Sequence, residues 1–381
     1  MEHYLTHIKI KKLRHLSNIV INLSDNERKH LLLTGKNGSG KTTVLLAVCQ
    51  YLKAINDGNF SYLRSGYDVT GYSNGLELEF NKYDDLDTAY RNGDYIVAYF
   101  AADRKTSIIR ARGVEDVKLN DFYGLDTDPG CVLLKYMVHL KTQQSYARNE
   151  GDMENAGRIQ KWFDRFESAL KNLFDDDSIK LVYEYKEYDF KITQNGKEPF
   201  GFDQLSDGYS SVIHIVSDLI LRMDKNWILK DKLSDYDIEG IVLIDELETH
   251  LHIELQKKIL PFLTEFFPRL QFIVTTHSPY ILNSVSNARA YDLEKQMKLD
   301  NLSIYSSEEL AEAYFDADEY SENLKKRIEK YEELVEKECL TDDERALRAE
   351  LRYELRNLSG EMSREIKMIF DDIEARRKAN G

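Results

Sequence analysis

The chain has 381 residues, of which 42% are hydrophobic and 31% charged. These proportions are typical of a globular protein with a sizeable core, and the length allows one large domain or two smaller ones. The formal net charge of −15 argues against a protein coated in basic surface for non-specific DNA binding, although it does not exclude a local basic groove.

The cysteines indicate a reducing compartment. Cys49, Cys131 and Cys339 lie far apart and form no CxxC pair, so a disulfide framework is not expected. The first residues lack the basic and apolar regions of a secretory signal, and no apolar run reaches the roughly 18 residues that a membrane span needs. We therefore expect a cytoplasmic protein with no membrane partner.

Hydrophobic patterning predicts short strands in the first part of the chain, followed by a helix from about Gly40. The predicted strands are residues 8–13, 18–23, 29–34, 77–80 and 95–100. From about 130 to 174 apolar residues recur at helical spacing, and a pair of alternating strands precedes the turn Asn195-Gly196.

The second half of the chain contains another predicted helix after Ser206. Residues 241–244 and 272–274 are continuous apolar runs, which are typical of parallel strands covered on both faces. From about 320 to 378 the spacing predicts a helical hairpin, with a capping box at Thr341 and Glu344 between its helices. This hairpin is either a strut packed on the main body or a pair that docks a partner.

Residues 35–42, GKNGSGKT, match GxxxxGK[ST] between a predicted strand and a predicted helix. In this motif the backbone N–H groups of a glycine-rich turn and a helix N-terminus bind phosphate oxygens. We expect Lys41 to reach the β- and γ-phosphates and Thr42 to hold Mg²⁺. The predicted nucleotide-binding residues of this loop are Gly35, Asn37, Gly38, Ser39, Gly40, Lys41, Thr42 and Thr43.

Two acidic residues end the apolar run IVLIDE, about 200 residues after the glycine-rich loop. Such a pair at the carboxyl end of a buried strand is typical of a Walker B motif. Asp245 is expected to support Mg²⁺ together with Thr42, and Glu246 to orient or deprotonate water.

Two further segments complete the pattern. Residues 205–209, LSDGY, precede a predicted helix and resemble the signature LSGGQ, from which they differ at the third and fifth positions. Ser206 and the N–H groups around Gly208 can cap that helix or bind an anion. His277, in TTHSP after a buried strand, can hydrogen-bond a γ-phosphate near neutral pH.

These four motifs, in the chain order P-loop, signature, Walker B and switch histidine, resemble those of the ABC-type ATPases of the SMC, RecF and overcoming-lysogenisation-defect group. The segment IDELETHLHIELQ is similar to the DE-x-E-x-HLHP-x-LQ pattern of compact prokaryotic members, with Ile253 in place of the usual proline. The resemblance covers about residues 1–300. It implies ATP and Mg²⁺ as ligands, Glu246 as catalytic base beside Lys41, and His277 as a switch.

The motifs and the resemblance together predict an α/β fold, an ABC-type P-loop NTPase with a mixed sheet. An antiparallel layer is expected from the first 100 residues, and a parallel core should hold the P-loop and Walker B strands. We expect an ATPase domain at 1–300 with a helical lid insertion at about 105–180, and a helical region at 301–381. The resemblance also implies a head-to-tail dimer in which Ser206 and Gly208 of one subunit meet the γ-phosphate bound by the other.

One part of the family pattern is missing, because no glutamine occurs between Gln50 and Gln143 to form the glutamine loop. Asp103 or Arg104 follows a predicted strand at that place and could take the role. Arg104 could equally pair with a surface acid. The HxH pair of His250 and His252 is more consistent with an interface loop than with a metal site, since no third ligand is near in sequence.

Relatives of this kind differ in what they control. Residues 283–381 are too short and too helical for a TOPRIM nuclease, and Asp316 and Asp318 form a DxD without an apolar strand before it. We therefore expect no intrinsic nuclease. The chain resembles stand-alone ATPases of bacterial antiphage systems, such as Septu and retron-associated ones, which act beside a separately encoded nuclease or other effector.

The predicted function is therefore an ATPase that dimerises around ATP and controls such an effector in antiphage defence. The alternative is a RecF-like repair ATPase that acts on DNA ends, which requires a basic surface. A non-hydrolysing scaffold is less consistent with intact Glu246 and His277. The candidate DNA-binding patches are Lys9, Lys11, Lys12 and Arg14, and Arg104, Lys105, Arg110 and Arg112.

Overall fold

The computed structural model describes residues 2–56, 75–104, 108–120, 122–229, 238–299, 302, 306, 309–310, 322–337, 340–358 and 364–379. Lys105, Asp316, Asp318 and Cys339, named above, lie outside these ranges. The chain divides into two compact units, Met1–Ala311 and Glu312–Gly381. No helix within the described ranges is both long enough and apolar enough to cross a membrane.

The first unit contains all the strands of the described chain. They are β1 (Leu5–Leu13), β2 (Leu16–Asn22), β3 (His30–Thr34), β4 (Leu76–Phe80), β5 (Tyr95–Phe100), β6 (Lys180–Glu184), β7 (Asp189–Thr193), β8 (Phe200–Gly201), β9 (Glu239–Ile244), β10 (Leu270–Thr275), β11 (Ala288–Asp292) and β12 (Met297–Leu299). Its helices are α1 (Lys41–Asn56), α2 (Leu86–Arg91), α3 (Leu133–Glu150), α4 (Met153–Phe174), α5 (Asp207–Leu229), α6 (Ile253–Phe266) and α7 (Pro279–Leu282).

The core is a six-stranded sheet in the order β12-β11-β3-β10-β9-β5. All neighbouring pairs are parallel except β11 with β12. Every residue of β3, β9 and β10 is buried, as expected for strands covered on both faces. Because β3, β10 and β9 are adjacent and parallel, the loops that follow them meet at one edge, where ligands of such sheets bind.

A three-stranded antiparallel layer, β2-β1-β4, lies beside this core. Its strands alternate between buried and solvent-facing residues, and β1 is joined to the core by Gln271, whose side chain bonds both backbone groups of Leu5 at 2.7 and 2.9 Å. We expected the strands of the first 100 residues other than the P-loop strand β3 to lie in this antiparallel layer. For β5 this prediction is wrong. That strand pairs in parallel with β9, because its sequence YIVAYF buries nearly every side chain rather than alternate ones.

The lid begins with a 3₁₀ turn at Pro129–Val132, continues through α3 and α4, and ends in the antiparallel sheet β6-β7-β8. The apolar stripe predicted from spacing is the buried face of α4, where Trp162 stacks on Phe166 with ring centroids 5.5 Å apart. The segment at 108–120, which the predicted helical lid included, is not helical.

Within its described residues the second unit contains three helices, α8 (Glu322–Glu336), α9 (Asp342–Leu358) and α10 (Arg364–Ala379). The predicted two-helix hairpin is therefore wrong, since its second apolar stripe is divided between α9 and α10. The sequence between them contains Ser359 and Gly360, which have low helix propensity. The small core includes buried Tyr331, Leu355 and Phe370.

The capping box predicted at the start of α9 is present. Glu344 N donates to Thr341 Oγ1 at 3.3 Å, and Thr341 N donates to Glu344 Oε2 at 3.0 Å. The N-terminus of α9 is thus fixed by local sequence.

Candidate nucleotide-binding site

The P-loop is a tight turn between β3 and α1. Gly35 and Gly40 have φ values of 128° and 102°, a region that residues with a Cβ rarely adopt. A Cβ at Gly35 would lie 2.8 Å from Ser39 Oγ, and one at Gly40 would lie 2.9 Å from Leu16 Cδ1. Both positions therefore require glycine, as the motif predicted.

Lys41 holds this turn in shape. Its buried Nζ donates to the carbonyl oxygens of Gly35 at 2.8 Å and Lys36 at 3.2 Å. Burial lowers the pKa of Lys41, while the nearby carboxylates of Glu246 and Glu248 oppose that effect. The ammonium group is thus placed on the inner side of the loop, close to the acidic residues that follow β9.

Thr42 and Asp245 meet although they are 203 residues apart. Thr42 Oγ1 donates to Asp245 Oδ1 at 3.2 Å, and Thr275 Oγ1 donates to the same oxygen at 2.5 Å. Hydroxyl and carboxylate oxygens are ligands that Mg²⁺ prefers, usually completed by phosphate oxygens and water. Sequence reasoning did not select Thr275, although it stands in the quoted TTHSP segment.

Glu246 has a strained backbone, with a φ of 45° in the left-handed region. Its N–H donates to Thr275 Oγ1 at 2.7 Å, and its half-buried side chain accepts a long hydrogen bond from Thr249 Oγ1 at 3.4 Å. The turn after β9 is therefore held by the side chains of Thr275, at the end of β10, and Thr249, within the turn, rather than by its own conformational preference.

Arg104 is the main support of that turn. Burial lowers its pKa to about 10, which leaves it charged. Its guanidinium donates to backbone carbonyl groups and to one serine. These contacts differ from both predictions, which were the role of the glutamine loop and an ion pair with a surface acid. The acceptors are Ala101 O at 3.0 Å, Asp245 O at 2.7 Å, Glu246 O at 3.1 Å, Leu247 O at 3.4 Å and Ser211 Oγ at 3.0 Å.

His277 lies on the loop after β10. Its backbone N–H donates to Glu248 Oε1, and burial together with the charge of Lys41 lowers its pKa, so the imidazole is neutral near pH 7. Gln256 joins this loop to the one after β9, because it donates to Leu251 O and accepts from Ser278 Oγ, both at 2.7 Å. Glu248 and Gln256 were missed, although both belong to the quoted IDELETHLHIELQ pattern.

The signature segment lies at the start of α5. Ser206 and Asp207 are exposed, whereas Gly208 is buried against the loop after β9. A Cβ at Gly208 would lie 2.6 Å from the carbonyl oxygen of His250, which itself has a φ of 66°. Tyr209 stacks on Phe174 at the end of α4, with ring centroids 4.3 Å apart.

Three buried polar atoms test whether a nucleotide and Mg²⁺ fit here. Ser39 Oγ, Glu248 Oε2 and His277 Nε2 have no hydrogen-bond partner among the described residues. A hydroxyl and an imidazole can donate to phosphate oxygens, and a carboxylate oxygen can accept from metal-bound water. The exposed Asn37, Gly38 and Thr42 leave the outer side of the loop accessible. This set of groups fits a nucleoside triphosphate with its metal ion.

Comparisons with known proteins agree with the motifs. Residues 146–283 match a family described as an AAA domain, putative AbiEii toxin, Type IV TA system. The chain is 23% identical over 309 residues to the Septu protein PtuA of Bacillus mycoides (strain KBAB4). It is 34% identical over 215 residues to the Retron Vc95 probable ATPase of Vibrio cholerae serotype O1 biovar El Tor. The predicted resemblance to Septu and retron ATPases is confirmed.

The matched regions cover 74% and 52% of this chain, respectively. The chain spans only 39% of the length of either relative. Among solved structures, the crystal structure of an SMC head bound to the C-winged helix domain of ScpA aligns with 79% of this chain and 100% of that chain. That alignment has 12% identity and a TM-score of 0.42.

Proposed function

We propose that the chain is an ATPase that binds ATP and Mg²⁺ at this edge of the sheet and closes head to tail with a second copy. We further propose that closure controls a separately encoded effector, a nuclease, in antiphage defence. The observation that carries the proposal is the convergence of Lys41, Thr42, Asp245, Glu246 and His277 from three separate segments.

In this proposal each residue takes a role that its contacts support. Lys41 and the N–H groups of the P-loop would bind the phosphates, and Thr42 with Asp245 would hold Mg²⁺. Bound Mg²⁺ would neutralise charge on the phosphate oxygens. Glu246 would take a proton from the water that attacks the γ-phosphorus, as the bond to the bridging oxygen breaks and ADP leaves. The neutral His277 would donate from Nε2 to a γ-phosphate oxygen.

The second copy is supported by the signature segment. Ser206 and Asp207 are exposed at the N-terminus of α5, where N–H groups favour an anion. The proposed effector partner is supported by the resemblance to the Septu and retron proteins. The residues of the ATPase site do not by themselves identify a partner. In this proposal the nuclease activity belongs to the effector and the chain supplies the ATP-dependent control.

The alternative, a repair ATPase acting on DNA ends, is less well supported. Lys9 is paired with Glu79, Lys11 with Glu77, and Arg110 with Asp203. These acids cancel much of the positive charge of the two patches on which DNA binding would depend.

The test compares the wild type with Glu246→Gln in ATP and Mg²⁺, measuring phosphate release and molar mass by light scattering. Because the amide cannot accept the proton, we expect hydrolysis to fall at least about 100-fold. An ATP-dependent assembly larger than the wild type's should accumulate. The matched control is Glu254→Gln, which makes the same chemical change at an exposed position of α6 and should behave as wild type.

If neither wild type nor variant hydrolyses ATP or changes size, the catalytic roles of Glu246, His277 and Ser206 are wrong. A nucleotide-gated scaffold would then be the better description. Hydrolysis without any change in size would instead contradict the dimer alone.

A further inference from the structure

A basic groove lies on the three-helix unit, apart from the patches considered above. Arg345, Arg348, Arg352 and Arg356 recur at steps of three and four along α9, which places them on one face of the helix. Arg377 of α10 faces them across a groove of about 300 Å³. Ala349 and Tyr353 complete the lining, in which the described residues include no carboxylate.

Glu374, on α10, holds two of these guanidinium groups in position. It accepts from Arg352 in a two-pronged pair at 3.0 and 2.9 Å and from Arg377 at 3.0 Å. One carboxylate shared by two arginines leaves net positive charge at the groove. Arg345 has only a distant partner, Asp342 at 3.6 Å, and no ion pair involves Arg348 in the described part of the chain.

Two acidic residues of α9 form ion pairs away from the groove. Glu354 pairs with Arg327 of α8 at 2.9 Å, and Glu344 pairs with Lys337 at 2.6 Å. Glu344 and Glu354 thus do not neutralise the arginine face, which contacts only Glu374 and, at 3.6 Å, Asp342 among the acids named here. Although the chain has a net charge of −15, arginines are clustered along this face of α9. Such a local cluster can bind an anion on an otherwise acidic protein.

The shape and the aromatic residue indicate the class of ligand. The four arginines of α9 extend over about 16 Å of helix axis, which suits a row of phosphates better than a single one. Tyr353 lies between Arg352 and Arg356 in sequence and is 70% exposed. An exposed aromatic ring beside a basic groove is a stacking surface for an unpaired base.

We propose that this groove binds single-stranded nucleic acid, with the arginines on its phosphates and Tyr353 stacked on a base. The site is independent of the proposed ATPase function, since it uses none of the P-loop or Walker B residues. An acidic protein segment would satisfy the arginines but would leave Tyr353 without a base.

The test uses the full chain and a fluorescent 20-nucleotide oligo-dT or oligo-U, with binding followed by anisotropy at several salt concentrations. Arg345→Ala with Arg348→Ala removes two phosphate contacts, so the slope of log K against log salt should become shallower by about 1.4. The charge-matched control is Lys326→Ala with Lys330→Ala on exposed positions of α8, which should leave the slope unchanged.

Substitutions of Tyr353 distinguish the binding of a nucleic acid from the binding of other polyanions. Tyr353→Ala should weaken oligonucleotide binding about ten-fold, while Tyr353→Phe keeps the ring and the affinity. A duplex of the same sequence length should bind more weakly than the single strand. Circular dichroism of each variant confirms that the three helices remain folded.

Three outcomes would overturn the proposal. The first is no salt-dependent binding by the wild type. The second is equal loss in the arginine and lysine double variants. The third is competition by polyglutamate at equal charge, together with no effect of Tyr353→Ala, which would assign the groove to an acidic protein partner instead.

Discussion

At the residue scale, Asp224 is a buried carboxyl outside the nucleotide site. It lies on α5 and accepts a hydrogen bond from Trp162 Nε1 at 2.8 Å. Burial raises its pKa to about 8 from the ordinary value of 3.8. Because the folded pKa is raised, its protonation stabilises the fold fully below about pH 4, and this contribution is lost as the pH rises towards 8.

Asp224→Asn should remove this pH dependence. The amide oxygen can still accept from Trp162, but it cannot ionise, so the variant should gain stability relative to wild type by about 1.4 kcal/mol per pH unit between pH 4 and 8. Thermal unfolding of both proteins across that range measures the difference. Parallel curves for the two proteins would show that Asp224 is already ionised in the fold.

Arg104 is the second residue with a testable role. Arg104→Lys keeps a positive charge but offers three donors instead of five, so the turn that positions Glu246 should loosen. We expect the rate of ATP hydrolysis to fall by up to about 100-fold while ATP affinity is nearly unchanged. Arg112→Lys, at an exposed position, is the control, and a variant that loses affinity and rate equally would contradict a positioning role.

These two residues also show the limit of sequence reasoning. Lys41 and Thr42 are predictable because their partners belong to a motif a few residues long. The acceptors of Arg104 after β9 are 141 to 143 positions away, and no local pattern marks them. Asp224 in sequence is only one acid on an apolar helix, and its burial depends on Trp162 of another element.

At the element scale, the lid and the signature helix are joined by aromatic stacking. Phe174 ends α4 and lies parallel to Tyr209 of α5, with an interplanar angle of 5°. The tyrosine stands where the signature LSGGQ, which this segment resembles, has glutamine. This contact links the position of the signature segment to the lid.

Phe174→Ala should therefore affect assembly more than nucleotide binding. Loss of the stack removes about 1 kcal/mol of support from the start of α5, so we expect ATP-dependent assembly to weaken several-fold. Light scattering of Phe174→Ala combined with Glu246→Gln, compared with Glu246→Gln alone, measures this change in assembly. Tyr185→Ala removes a ring that is 67% exposed and serves as the control. Equal assembly of the two variants would show that the lid does not influence the signature segment.

The sequence predicts some helices and strands of the fold better than others. The stripe of α4 and the strands β9 and β10 follow from apolar spacing alone. The place of β5 in the core sheet does not, because pairing partners are chosen by the whole fold. The two-residue strand β8 is too short to leave a pattern at all.

At the scale of the whole molecule, each of the two compact units has its own hydrophobic core. We therefore expect two calorimetric transitions, of which ATP with Mg²⁺ raises only that of Met1–Ala311. At 100 times its dissociation constant the nucleotide should add about 2.7 kcal/mol to that unit. Lys41→Ala should abolish the shift, and a shift of both transitions together would contradict separate unfolding.

The contact between Gly208 and His250 constrains how this sequence can change. Any side chain at 208 would strike the carbonyl at 250, and position 250 in turn needs a residue that tolerates a positive φ, for which asparagine and glycine are best suited. In a combinatorial library the two positions should covary, so that substitutions at 208 survive only with a compensating backbone change at 250. The start of α5 and the loop after β9, about 40 residues apart in sequence, would then evolve as a single unit.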